Sequence, residues 1–235
     1  MIITSCDFND KNSYDDFDLI MESKVILPPS KKMIKGEVPF ANSSYNFSTV
    51  GSGGEITYND RNITVVFILP TISKIRLHVL YSKVLEWLQD VPQSKLIFGD
   101  MKDYYFLAEV ETASSFEEIA ICGKLTVTFV AEPFKIGVNL EGNTLWDTFN
   151  FNTDVMQDTS YDIVGSKSIN IINVGRLTIP TINITAAMTI TLNSKTYNLV
   201  TGDNTIYGFK LLNGDNDMVV TGTGTIKFIF RKVTL

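Results

Sequence analysis

TVVFILPTISKIRLHVLYSKVLEWLQD, residues 64–90, decides the fold. An apolar run at 64–69 is closed by Pro70, and Ser73 stands where an N-cap belongs. Beyond it Leu77, Leu80, Tyr81, Val84, Leu85 and Leu88 recur at three- and four-residue spacing. That spacing predicts a helix over residues 73–90 with one apolar stripe and Trp87 at its edge. Such a stripe needs an apolar surface to cover. The flanking segments supply it as strands at 104–111, with Phe106, Ala108 and Val110 on one face, and at 119–130, with Leu125, Val127 and Phe129. Ile75 and Val79 fall on the far side of the helical wheel beside Arg76, Lys83 and Glu86. A second apolar spot on a helix that already has a core face marks a partner surface.

Working outward, residues 23–57 hold short strand-like pieces (24–27 and 45–49) punctuated by Pro28-Pro29, Gly36, Pro39 and Gly51 to Gly54. This reads as an extended arm with little core of its own. The Gly51 to Gly54 run lacks a following Lys-Ser/Thr and a helix, so it is a turn and not a phosphate cradle. After Pro133, Gly137 and Gly142 helical periodicity disappears. Short alternating strands follow at 168–172, 181–184, 189–192, 197–200, 209–212, 218–221 and 225–232, with turns at Gly175, Asn193-Ser194, Gly202-Asp203, Asn213 to Asp215 and Gly222 to Gly224. The pattern predicts a β-sandwich. The expected organisation is therefore mainly β with one helix: a first domain over 1–136, sandwich-like with the helix and the arm, and a β-sandwich over 137–235.

Composition narrows the function. With 235 residues, 44% of them hydrophobic, and a mean hydropathy of +0.10, the chain can bury a substantial core. A net charge of −6 argues against a nucleic-acid binder, which needs basic residues to neutralise phosphates. The first 135 residues carry 18 acids and 13 bases, so nearly all the negative charge sits there. Residues 1–8 lack a basic segment leading into a long apolar run, no stretch is long and apolar enough to span a membrane, and the expected site of synthesis is a cytoplasm.

Catalytic constellations are missing. His78 is the only histidine, which removes histidine triads and multi-histidine metal sites; its expected role is structural, at the border of the stripe. Cys6 and Cys122 are too few for a disulfide framework, and Cys122 reads as a small buried hydrophobe. The acids at Asp7, Asp10, Asp15, Asp16, Asp18 and Glu22, and the turn at Asn213, Asp215 and Asp217, read as solvated surface, without the ligand spacing of a calcium loop. No enzyme activity, cofactor or metal is expected.

Several motifs carry a resemblance. Tyr45-Asn-Phe-Ser48, Tyr58-Asn-Asp-Arg61-Asn-Ile63, Glu86-Trp87-Leu88, Tyr104-Tyr105-Phe-Leu-Ala108, Thr126-Val-Thr-Phe129 and Pro133-Phe134 resemble the first domain of the distal tail proteins of long-tailed bacteriophages. Asn173-Val-Gly175 with Pro180-Thr-Ile182, then Leu211-Leu-Asn-Gly214-Asp-Asn216, Thr221-Gly-Thr-Gly224 and Phe230-Arg231 resemble their galectin-like sandwich. The Gly36-Glu-Val-Pro39-Phe segment departs from the glycine-rich turn of that pattern.

The resemblance implies a hexameric ring at the virion tail tip, assembled in a bacterial host cytoplasm. It joins the tail tube protein to tail-tip or receptor-binding proteins, with DNA as passing cargo and acids of the first domain lining the channel. On this reading the arm embraces the next copy, and Tyr45, Phe47, Ile75 and Val79 are the expected contacts between copies. The alternative is a carbohydrate-binding module on the sandwich, although Trp146 is its only tryptophan; a cell-wall hydrolase is a third reading without a catalytic group to support it.

Overall fold

The computed structural model describes residues 5–40, 42–52, 54–142, 149–151 and 153–235, with side chains for all of these but 112–114. The chain divides into two compact units, Met1–Lys135 with Leu235, and Ile136–Thr234. No helix among the described residues is long and apolar enough to cross a membrane.

In the first unit the strands are β1 (Cys6–Phe8), β2 (Lys11–Asn12), β3 (Ile20–Ile26), β4 (Lys35–Gly36), β5 (Tyr45–Asn46), β6 (Arg61–Leu69), β7 (Ser94–Phe98), β8 (Tyr104–Ile119) and β9 (Cys122–Ala131), with α1 (Lys74–Gln89) between β6 and β7. Seven of them form an antiparallel sheet in the order β2-β1-β7-β8-β9-β6-β3. Strict alternation along β6 and β9 buries Ile63, Val65, Phe67, Leu125, Val127 and Phe129 on one face. The inner stripe of α1, Leu77, Val84, Trp87 and Leu88, joins the same core. Each such side chain taken fully out of water contributes about 1.5–3 kcal/mol, which outweighs the small propensity terms of a 16-residue helix. Ser73 is the N-cap in extended conformation, accepting from the Arg76 N–H at 3.3 Å.

Several expectations need correction. Trp87 is not at the edge of the stripe but buried, because its indole N–H reaches the Phe8 carbonyl at 2.8 Å. The expected strand 119–130 breaks at Ala120, which at φ 56° makes the hairpin turn, so β8 runs on to Ile119. Cys122 begins β9 half-exposed, and it is Cys6 that is buried. Burial pushes the Cys6 thiol up to about 12, which leaves it inert. Residues 23–26 of the expected arm belong to β3 and pair with β6 in the main sheet.

β10 (Lys135–Gly137) spans the boundary in the sequence, and the second unit holds β11 (Ser160–Asn173), β12 (Thr181–Ile184), β13 (Met188–Leu192), β14 (Lys195–Leu199), β15 (Gly202–Thr205), β16 (Gly214–Ile229) and β17 (Val233–Thr234). The expected turn at Gly222 to Gly224 is instead the middle of β16, since β11 pairs with it without a break from Gly214 to Lys227. Gly165 faces Gly222 in that register, and both have positive φ. The glycines bend the ribbon instead of ending it. On its other edge β16 takes β13 over residues 218–222 and β12 over 226–229. The two wings close over one core that includes Ile163, Ile190, Phe209 and Phe228, the sandwich that was expected. Residues 209–212 contribute a single bridge, Thr178 to Leu211, in place of a strand, and Gly202-Asp203 opens β15 instead of making a turn.

A repeated device starts two of these strands. Val200-Thr-Gly-Asp-Asn204 precedes the body of β15 and Leu212-Asn-Gly-Asp-Asn216 that of β16. In each, the buried Asn accepts from the backbone N–H four residues earlier and donates to the carbonyls two and four residues earlier. A further bond crosses to the neighbouring strand, at Ile182 O or Ile171 O. Asn216→Ala therefore strands several buried backbone groups, and a loss of about 2–4 kcal/mol is expected in urea unfolding; Asn204→Ala, in the same setting, should match it within a factor of two. A loss below 0.5 kcal/mol at both would remove these side chains from the account of the fold.

Candidate functional site

The β3–β6 hairpin runs beyond the sheet as a two-legged arm. Leu27 N–H donates to Asn62 O at 3.1 Å, Asn59 to Ser30 O at 2.8 Å and Lys32 to Thr57 O at 2.9 Å. Farther out β4 pairs with β5, and Ile34 N–H reaches the Ser48 hydroxyl at 2.8 Å. The arm thus answers its own backbone demands. Its side chains are another matter: no described residue from Leu27 to Asp60 is buried. Met33, Ile34, Val38, Tyr45, Phe47 and Val50 are exposed, and Phe40 is entirely so. Tyr45 and Phe47 stack with centroids 6.4 Å apart, and Gly36 leaves room for the Phe47 ring, which a Cβ would meet at 3.0 Å. Apolar surface of this extent with nothing behind it marks an interaction site.

A second bare surface lies on α1. Ile75 is 79% exposed and Val79 53%, as the wheel predicts, and Ile72 at 73% extends the line one step back. The β8–β9 turn lies against this half of the helix: Thr71 Oγ1 donates to Ile121 O, and Glu118 takes His78 Nε2 at 3.2 Å and Lys74 Nζ at 3.9 Å. Exposed Ile119 and Ile121 accompany that turn. Sequence reading found Ile75 and Val79 through their shared helix and missed Ile72, Ile119 and Ile121, whose proximity follows only from the hairpin. The four sequence-derived residues thus fall into two pairs on two elements, all of them exposed.

The acidic segments form no centre. Asn12 is held by Asp7 at 2.7 Å and its N–H by Asp16 at 2.7 Å, while Asn170 donates to Asp215 and Asp217 at 3.1 and 2.8 Å. Among the described residues no three His, Cys, Asp or Glu groups are placed to share a metal. In the second unit an open hollow of about 500 Å3 is lined by Ser168, Asn170, Thr191, Asn193 and Asp217, with no aromatic platform for a sugar ring. Trp146 lies outside the described residues.

Residues 47–131 match the family described as the phage tail protein RIFT-related domain. The crystal structure of SPP1 Dit, presented as a paradigm of the hub adsorption apparatus in phages infecting Gram-positive bacteria, shares the fold with a TM-score of 0.70. The match covers 99% of this chain and 100% of that one at 14% identity. A chain of the phage P2 baseplate in its activated conformation with calcium matches with a TM-score of 0.48 and 7% identity over 98% of each chain. None of the curated proteins matches in sequence. The resemblance to distal tail proteins read from the motifs is borne out, as is the mainly-β fold with one helix and a galectin-like sandwich.

Proposed function

We propose that this chain is a structural hub protein of a phage tail tip, six copies of which close into a ring through their first domains. The observation that carries the reading is the arm, with its satisfied backbone and uncovered side chains. Such a segment gains its buried area from another surface, and a contact between two different patches of the same chain closes into a ring when the rotation between copies allows it. The six-fold count follows the resemblance to distal tail proteins. The tail tube protein would meet one face of the ring, and the second domain would dock tail-tip or receptor-binding proteins.

The charge distribution supports a passage for DNA. The first 135 residues carry an excess of five acids, and an acidic lumen lets a phosphate polymer slide where Lys and Arg would hold it. A channel surface dominated by basic residues would refute that part. The ring itself is tested by the solution mass of the purified chain at tens of micromolar, followed by negative-stain imaging. Six-fold rings, formed alone or on addition of tail tubes, are expected. A chain that stays monomeric under both conditions would overturn the reading.

A further inference from the structure

The start and the end of the second unit meet at a nest of three ionisable side chains. Gly137 N–H donates to Lys232 O and Glu141 N–H to Phe230 O, both at 2.9 Å, so residues 137–141 run beside the stretch after β16 that carries Lys232. Lys232 is only 6% exposed. Its Nζ donates to Asp154 Oδ1 and, at 3.1 Å, to Thr153 Oγ1. Asp154 is itself held, its Oδ2 accepting from the Asn150 N–H at 2.9 Å. The Glu141 carboxyl completes the nest. Burial raises it above the usual carboxylate range, and it feels both Lys232, which lowers it, and Asp154, which raises it again. Burial pushes Asp154 up as well, but the hydrogen bonds from Lys232 and the Asn150 N–H more than offset this, and it stands below its ordinary value. A buried lysine thus touches one carboxylate beside a second carboxyl that keeps its proton more readily.

A buried ion pair is costly, because neither charge recovers its lost hydration. An amide made from the same two groups carries no charge. We propose that Lys232 Nζ and Asp154 Cγ condense into an intramolecular amide, with Glu141 as the acid–base group. The Lys232 ammonium passes one proton to the Asp154 carboxylate across their hydrogen bond, and the freed amine attacks Cγ, one bond from the oxygen it already touches. As the N–C bond forms, Glu141 gives its proton to the departing hydroxyl, the C–O bond breaks and water leaves. The Glu141 carboxylate then recovers a proton from the nitrogen. One cation and one anion become a neutral amide and water, with no oxidant or other reactant. An open hollow of about 460 Å3 lined by Glu141, Gly142, Thr159 and Arg231 gives the water a way out. Holding the two groups together supplies an effective concentration of about 10⁵–10⁸ M, which lets an unactivated carboxyl form an amide in water. The link closes a loop from residue 154 to residue 232 that encloses β11 to β16, so tension between those two points runs through the bond and not through the sandwich. Each chain reacts once, on itself, and nothing in the step depends on the ring reading.

Intact-mass spectrometry of the purified full chain, followed by tandem sequencing of its proteolytic peptides, tests the link. The expected mass lies below that of the sequence by one water, with a branched peptide joining Asp154 to Lys232. Lys232→Arg, which keeps the ion pair, and Asp154→Ala should each restore the full mass. Glu141→Gln, which keeps the shape of the side chain, should slow the loss of water about a hundredfold or more, while far-UV circular dichroism shows the fold retained. A wild-type chain that keeps its full mass after prolonged incubation at neutral pH overturns the link, and so does a missing water traced to other residues. Water lost from Glu141→Gln at the wild-type rate overturns the part given to Glu141. The wild-type mass decides the link by itself, so the test stands even where a variant fails to fold.

Discussion

Replacing residues 33–56 by an Asn-Gly turn is expected to abolish the proposed self-association and to leave the melting of the first domain where it was. Lys32 N–H already donates to Thr57 O at 2.9 Å, so the two cut ends lie at the spacing that a two-residue hairpin turn bridges. Nothing buried is removed, because every described residue of the excised segment is exposed or half-exposed. Shortening the connection between β3 and β6 also lowers the entropy cost of closing it, though only slightly. Association is expected to vanish, since the segment carries most of the uncovered apolar side chains of the arm. Solution mass and calorimetry on the same sample decide it. Rings that persist would show that the arm is not the connector, and a domain that unfolds would show that the arm belongs to the core.

That expectation was largely legible in the sequence, and the reasons are physical. The helix was readable because its stripe repeats at the helical period over four turns and Ser73 caps it; the structure moves each boundary by one residue. Proline and glycine punctuation marked the arm, but not that Ser23 to Ile26 pair with β6, since edge pairing depends on a distant strand. β7 escaped notice: its five residues alternate only Leu96 and Phe98, and its partners β1 and β8 lie elsewhere in the chain. Gly222 and Gly224 were misread as a turn because glycine signals a bend without saying whether the ladder continues through it. The Gly-Asp-Asn repeats at 202–204 and 214–216 are visible as letters, yet the carbonyls they satisfy become apparent only once the strands are folded. For the candidate surface, periodicity exposed Ile75 and Val79, whereas Ile119 and Ile121 needed the β8–β9 hairpin to reach α1.

Opposite faces of α1 should separate stability from assembly, and the largest stability effect is expected at Trp87. Its indole N–H donates to the Phe8 carbonyl at 2.8 Å in a buried setting, its ring stacks on Phe17 with centroids 4.7 Å apart, and it meets Phe8 edge-on at 6.2 Å. Phe8 belongs to β1, paired with β7 near the edge of the sheet, so this one side chain fastens the helix to the strands farthest from it in sequence. Trp87→Ala removes a large buried ring and orphans the carbonyl, a cost of about 3–5 kcal/mol. For a domain of this size that corresponds to a fall of roughly 10–20 °C in Tm, read by far-UV circular dichroism. Trp87→Phe keeps most of the volume and should cost only about 1–2 kcal/mol, chiefly the lost hydrogen bond. Ile75→Asp, on the bare side, has no such contacts to lose and should leave Tm unchanged while reducing association. If Trp87→Ala melted within a few degrees of the wild type, the core assigned to the inner face would be wrong. If Ile75→Asp lowered Tm as Trp87→Ala does, the outer face would be part of the fold and could not serve as a seat for another copy.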